Sequence, residues 1–265
     1  LNELDKIFSK IDNYLAYLYS DLLQNIAKLT KNKVRDVDWV EAAHQVQCSN
    51  CKKNVVLLKE NQVGIGKYKC ACKKNFTLKP LDCKRSSFKY LNIKSKNEEL
   101  IFSKKISKIF KSHNNILINN INKKKIKIKK KLIPLKWDRQ HEDALKKKNI
   151  FYFEDFFTRR NFYINILLKS FIQNLKISKR RKELFRFVFS SSLRDTNIMT
   201  FSSSNWQSGK PASWSKHAYW VPPQFCEVNV RHAFKLAYQR IRKCNKFNRE
   251  SNIKVNFAKN FRNLK

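Results

Sequence analysis

Glycine is almost missing from this chain: Gly64, Gly66 and Gly209 are the only three in 265 residues. A Gly-rich loop that cradles a nucleotide or phosphate needs several at close spacing, so neither a GxGxxG turn nor a Walker loop can be built. Methionine occurs once and proline five times. Acidic residues are scarce as well, 20 Asp+Glu against 58 Lys+Arg, which leaves a formal net charge of +38. No apolar run reaches the 18 residues of a membrane span, and Leu1–Leu4 lacks the basic and apolar regions of a signal peptide.

What is present balances those absences. Hydrophobic residues make up 42% of the chain, so it can bury a core despite its charge. Self-repulsion at +38 opposes compaction unless an anion neutralises it, and the obvious polyanion is nucleic-acid phosphate. The Lys-, Asn-, Ile- and Phe-rich composition points to an AT-rich coding source. Four of the seven cysteines fall between Cys48 and Cys72. Clustering of that kind indicates metal rather than disulfides, and with it a reducing compartment.

Residues 1–36 are expected to hold one long amphipathic helix, since Leu4, Ile7, Phe8, Ile11, Leu15, Leu18, Leu22 and Ile26 recur every three or four positions. Residues 37–84 read as a zinc ribbon. Cys48 and Cys51, then Cys70 and Cys72, are separated by strand-like stretches, and four thiolates suit one structural, tetrahedral Zn²⁺. The second pair is one residue shorter than a normal knuckle, so Cys83 is a reserve ligand.

Residues 85–136 read as a basic, extended linker. Seven of its lysines (Lys123, Lys124, Lys125, Lys127, Lys129, Lys130 and Lys131) fill nine consecutive positions, and such a block is expected to contact phosphate backbone. Ile126 and Ile128 alternate with them as anchors for an extended strand. Residues 137–265 read as a helical domain. Thr158 would cap a helix burying Phe162, Ile166, Leu167 and Phe171, and Asn229 would cap the last helix. Arg159, Arg160, Arg180, Arg181, Arg231, Arg240 and Arg242 add basic candidates. In the aromatic loop between these helices, Trp214 beside Lys210 and Lys216 could stack on unpaired bases. The fold class expected is α+β, mainly helical, with a small ribbon module and an extended basic segment.

Several segments are collinear with one family. Phe156-Phe157-Thr158-Arg159-Arg160-Asn161, Leu184–Ser191, Tyr219-Trp220-Val221-Pro222-Pro223 with Asn229-Val230, and Val37-Asp38-Trp39 through Cys51 resemble the middle, ribbon-containing region of site-specific adenine DNA methyltransferases. Arg231 stands where that family usually has Trp. The resemblance implies target recognition, but the family's Gly-rich cofactor loop and Asp-Pro-Pro-Tyr motif have no counterpart; Pro222-Pro223 runs into Gln224. The expectation is a chain that neither binds S-adenosylmethionine nor transfers methyl groups alone. Two functions follow: an rRNA-binding structural component of an organellar ribosome, mitochondrial by preference, among other protein chains; or the recognition subunit of a split methyltransferase. RNA is favoured over DNA, and no membrane partner is expected.

Overall fold

The computed structural model describes residues 2–30, 37–78, 88–95, 98–101, 103–128, 145, 150–203, 206–212 and 222–250. Its class is α+β, as expected. Helix α1 (Asn2–Thr30) runs through the main core. Ile7, Ile11, Leu15, Leu18, Leu22 and Ile26 sit at spacings of three and four, so one face is apolar along the whole helix, and all are buried. Around it pack α2 (Lys104–Lys123), α3 (Arg159–Asn174) and α5 (Val230–Glu250), with α4 (Lys179–Leu193) against α5. Stacked rings join them: Phe8 on Tyr238, centroids 4.2 Å apart, and Tyr14 on Phe171 at 4.1 Å.

The helices cover an antiparallel sheet of order β10-β1-β6-β7, formed by Gln224–Val228, Trp39–Gln47, Phe88–Ser95 and Glu98–Ile101. Strand β2 (Asn54–Val56) pairs with the far end of β1. Beyond it lies a separate small sheet, β3 (Gln62–Gly64), β4 (Lys67–Lys69) and β5 (Asn75–Thr77). A two-stranded pair, β8 (Phe201–Ser203) with β9 (Trp206–Ala212), completes the described strands.

Local rules set the helix starts. The Thr158 hydroxyl accepts from the Asn161 N–H, and Asn229 Oδ1 accepts from the Arg231 N–H at 2.8 Å, so both expected caps are in place. Ser103 does the same for α2, accepting from the Ile106 N–H.

Two expectations need correction. The described part of residues 85–136 is not an extended linker: β6 is hydrogen-bonded into the main sheet and α2 buries Ile106, Phe110, His113, Leu117 and Ile121. Five inward positions at helical spacing outweigh the lysines that dominate the composition. The buried face of α3 is also turned from the one expected, with Leu167 the one expected residue that is fully buried. Ile164, Leu167, Leu168 and Ile172 are buried together with Arg160, Asn161 and Asn165, while Phe162, Ile166 and Phe171 are only partly covered. The four segments expected from the sequence are therefore not independent, since β1 pairs with β6 on one side and β10 on the other.

Candidate metal centre and the fate of the basic residues

Cys48 and Cys51 sit on the turn between β1 and β2, and Cys70 and Cys72 on the turn between β4 and β5. The two turns are built alike. In the first, Cys48 N–H donates to Lys53 O and Lys52 N–H to Cys48 O; in the second, Cys70 N–H donates to Lys74 O and Lys73 N–H to Cys70 O. Each places a lysine directly after its second cysteine in the left-handed region, Lys52 at φ 59° and Lys73 at φ 65°. The second turn closes with one residue fewer, which accommodates the short Cys70-Ala71-Cys72 spacing without recruiting a distant ligand. Cys83 lies outside the described residues.

The four sulfurs lie within 4.8 Å of one another. Cys48 and Cys72 Sγ are 3.9 Å apart and Cys51 and Cys70 Sγ 3.6 Å apart. A tetrahedron with metal–sulfur arms of about 2.3 Å has edges of about 3.8 Å, so the donors are already spaced for a small tetrahedral ion. The cluster can hold a metal. The Cys51 backbone N–H stabilises the Cys48 thiolate and lowers its pKa to about 6. At Cys70 the Cys72 N–H pulls the same way, but burial and the neighbouring thiols outweigh it and push the value up to about 11. One thiolate is thus favoured before any ion enters; a cation would bring the rest down. Val46, Val55, Leu57, Tyr68 and Phe76 wrap the site in a small apolar cluster of its own.

The basic residues fare differently from one another. Arg160 cannot reach a nucleic acid. It is 3% exposed, its Nε donates to Glu227 Oε1 at 2.6 Å, its Nη2 donates to Tyr90 Oη at 2.8 Å, and its guanidinium lies 3.9 Å from the Phe110 ring centroid. The Tyr90 hydroxyl in turn donates to the other Glu227 oxygen. Burial works against the Arg160 charge, but Glu227 beside it prevails and raises its pKa; burial holds the Tyr90 phenol well above its usual range. Arg160 and Glu227 form a structural ion pair, and neither Glu227 nor Tyr90 stands out in the sequence. The one local signal is Arg160 itself, four, seven and eight positions before the buried Ile164, Leu167 and Leu168.

Arg231 is likewise drawn inward, making two 2.8 Å bonds to the carboxylate of Asp12. Arg181 pairs with Glu3, Arg240 with Asp195 and Arg242 with Asp5, all on partly or fully exposed surface. Arg159, Arg180, Lys123, Lys125 and Lys127 are exposed. Lys124 donates to the Tyr14 hydroxyl at 2.9 Å. Ile126 and Ile128 pack on the core as anchors, although Lys123 ends a helix and does not begin a strand. Lys210 is placed on β9; Lys129, Lys130, Lys131, Trp214 and Lys216 lie outside the described residues.

The residues that carried the methyltransferase resemblance hold the core together. Asn161 Nδ2 donates to Thr196 O and Val228 O, both at 2.9 Å, and Asn229 Nδ2 donates to Val37 O at 2.8 Å. Beside them His113 is buried, with Nε2 at 2.7 Å from Leu18 O. Burial first, and the Arg160 charge second, lower its pKa to about 4. A histidine free in the unfolded chain titrates near 6.5, so the unfolded state takes up the proton first as pH falls. His113 should therefore withdraw up to about 3 kcal/mol of stability between pH 6.5 and 4. His113→Gln retains the donor to Leu18, and its denaturation midpoint should fall less steeply over that window than the wild type's. Parallel curves would contradict the assignment.

No helix among the described residues is long and apolar enough to cross a membrane. Comparison with protein-family models, with curated proteins and with solved structures finds no match to the chain.

Proposed function

We propose that this chain is a non-catalytic nucleic-acid-binding protein, an rRNA-binding structural component of an organellar ribosome, with zinc as the ion of its four-cysteine centre. The observation that carries this reading is how the few acids are used. Glu3, Asp5, Asp12, Asp38, Asp195 and Glu227 each face an Arg or His of the same molecule, so they stabilise the fold and leave the lysines of α2 without an acidic partner among the described residues. An external polyanion supplies what the chain lacks. Four thiolates suit a tetrahedral structural zinc, and iron accepts the same ligands.

The recognition subunit of a split methyltransferase is the weaker reading. Its support was that the motif residues persist, and their roles in capping and in buried hydrogen bonds account for that without any target base.

The test is binding of the full chain to labelled RNA and to labelled duplex DNA across a salt series. Contacts to six or more phosphates should cost about 10³-fold in affinity between about 50 and 200 mM salt. RNA should bind more tightly, and the chain should co-purify with ribosomal RNA. Binding that ignores salt, or co-purification with a chain carrying an Asp-Pro-Pro-Tyr motif, would reject the proposal.

A further inference from the structure

We infer that the solvent face of α2 is the surface on which the nucleic acid lies, an assignment that rests on the polyanion-binding reading above. Lys104, Lys108, Lys111, Asn115, Asn119 and Asn122 share that face; all are exposed, and they stand opposite the buried row Ile106, Phe110, His113, Leu117 and Ile121. From Lys104 to Asn122 the helix rises about 27 Å, long enough to follow several nucleotides.

The charge on this face has no acidic partner among the described residues. Residues 100–137 hold twelve lysines and not one Asp or Glu. None of the α2 lysines makes an ion pair among the described residues, whereas α1 and α5 neutralise each other through Asp12–Arg231 and Asp5–Arg242. Two local costs follow. Lys104 and Lys105 occupy the first turn, where the helix dipole is positive and carboxylates would be favoured. Lys104 and Lys108, and then Lys108 and Lys111, are like charges one turn apart, which weakens a helix. A row of phosphates along the face relieves both.

The second half of the face changes chemistry. Asparagine amides both donate and accept, so they suit sugar hydroxyls and base edges, while the lysines before them suit phosphate. A lipid surface fits poorly, because it needs a free apolar face and that of α2 is buried in the core.

The experiment compares two variants of the full, zinc-loaded chain with the wild type, using a fluorescein-labelled RNA stem–loop with a single-stranded flank. K104Q/K105Q/K108Q/K111Q removes four charges from α2. K6Q/K10Q/K28Q/K169Q removes four exposed charges from α1 and α3. All eight side chains are exposed, so both variants should keep the wild-type circular dichroism. The α2 variant should lose about two to three from the slope of log affinity against log salt, at about 0.7–0.9 for each of the three face lysines that contacts phosphate, and the other variant less than about one. Equal losses would show that binding follows net charge, and an unchanged α2 variant would place the RNA elsewhere; either overturns the assignment while leaving the chain an RNA binder. Displacement of the RNA by polyglutamate as readily as by unlabelled RNA would give the face to an acidic protein and also overturn it. A wild type with no salt-dependent binding at all removes the broader reading and this one with it.

Discussion

Glu227→Gln should destabilise the folded chain by about 3–5 kcal/mol, because it leaves the Arg160 guanidinium charged, buried and without its counter-ion. Both side chains are 3% exposed, so solvent can do little to compensate. The Tyr90 hydroxyl would lose its acceptor as well. Arg160→Leu should cost a similar amount from the other side, by stranding the carboxylate. The double variant Arg160→Leu/Glu227→Leu should recover most of either loss, since a buried pair replaced by apolar groups of like volume is often near neutral. Urea midpoints of the three variants decide the matter. A single-variant loss below about 1 kcal/mol would mean that water reaches the pair, and a double variant as unstable as the sum of the singles would mean that the two residues are not coupled.

The second large effect belongs to the four thiols. The ribbon's apolar cluster is separate from the main core and too small to fold by itself, while structural Zn²⁺ carries an apparent binding free energy of about 10–16 kcal/mol. Chelation should therefore melt the region around Cys48–Leu78 and leave the helices standing. Trypsin should then cut at Lys52, Lys53, Lys69, Lys73 or Lys74, exposed residues now on a loosened backbone, while far-ultraviolet circular dichroism retains most of its helical signal. One equivalent of zinc should restore resistance. Cys72→Ser should abolish that restoration and Cys83→Ser should not, which decides between the four clustered ligands and the reserve one. Failure to take up zinc in reducing buffer would refute the centre.

The sequence exposed some of this structure more readily than the rest, for physical reasons. Helix α1 was legible because its apolar residues repeat along its whole length with nothing to interrupt them. The caps Thr158 and Asn229 were legible because capping is local chemistry, and the cysteine pairs because metal ligation imposes spacing. Helix α2 was hidden by composition: lysine and asparagine on the outer face resemble low complexity, although Ile106, Phe110, Leu117 and Ile121 mark the inner one. Strand β10 was hidden directly after an aromatic, serine-rich stretch, and its five residues carry too short a pattern to stand out. The Arg160–Glu227–Tyr90 set could not be read from local sequence, since Glu227 and Tyr90 lie 67 and 70 residues from Arg160 and meet it only once the sheet has formed. A basic residue is assigned to the surface by default; only its place on the apolar row of α3 argued otherwise.

Strand β1 belongs to two bodies at once. Trp39–Ala43 pair with β10, and Gln45–Gln47 pair with β2. His44 stands at the change-over: its N–H donates to Pro223 O in the main body, and its C=O accepts from Leu57 N–H in the ribbon. Mechanically the ribbon is an extension of the main sheet and not a bead on a string, since Gln224 Nε2 also donates to Leu57 O across the same junction. Torque applied at the cysteine tip passes along β1 into the middle of the main sheet. Amide-exchange rates along β1 after chelation would form a step at His44, fast on the tip side and slow on the other.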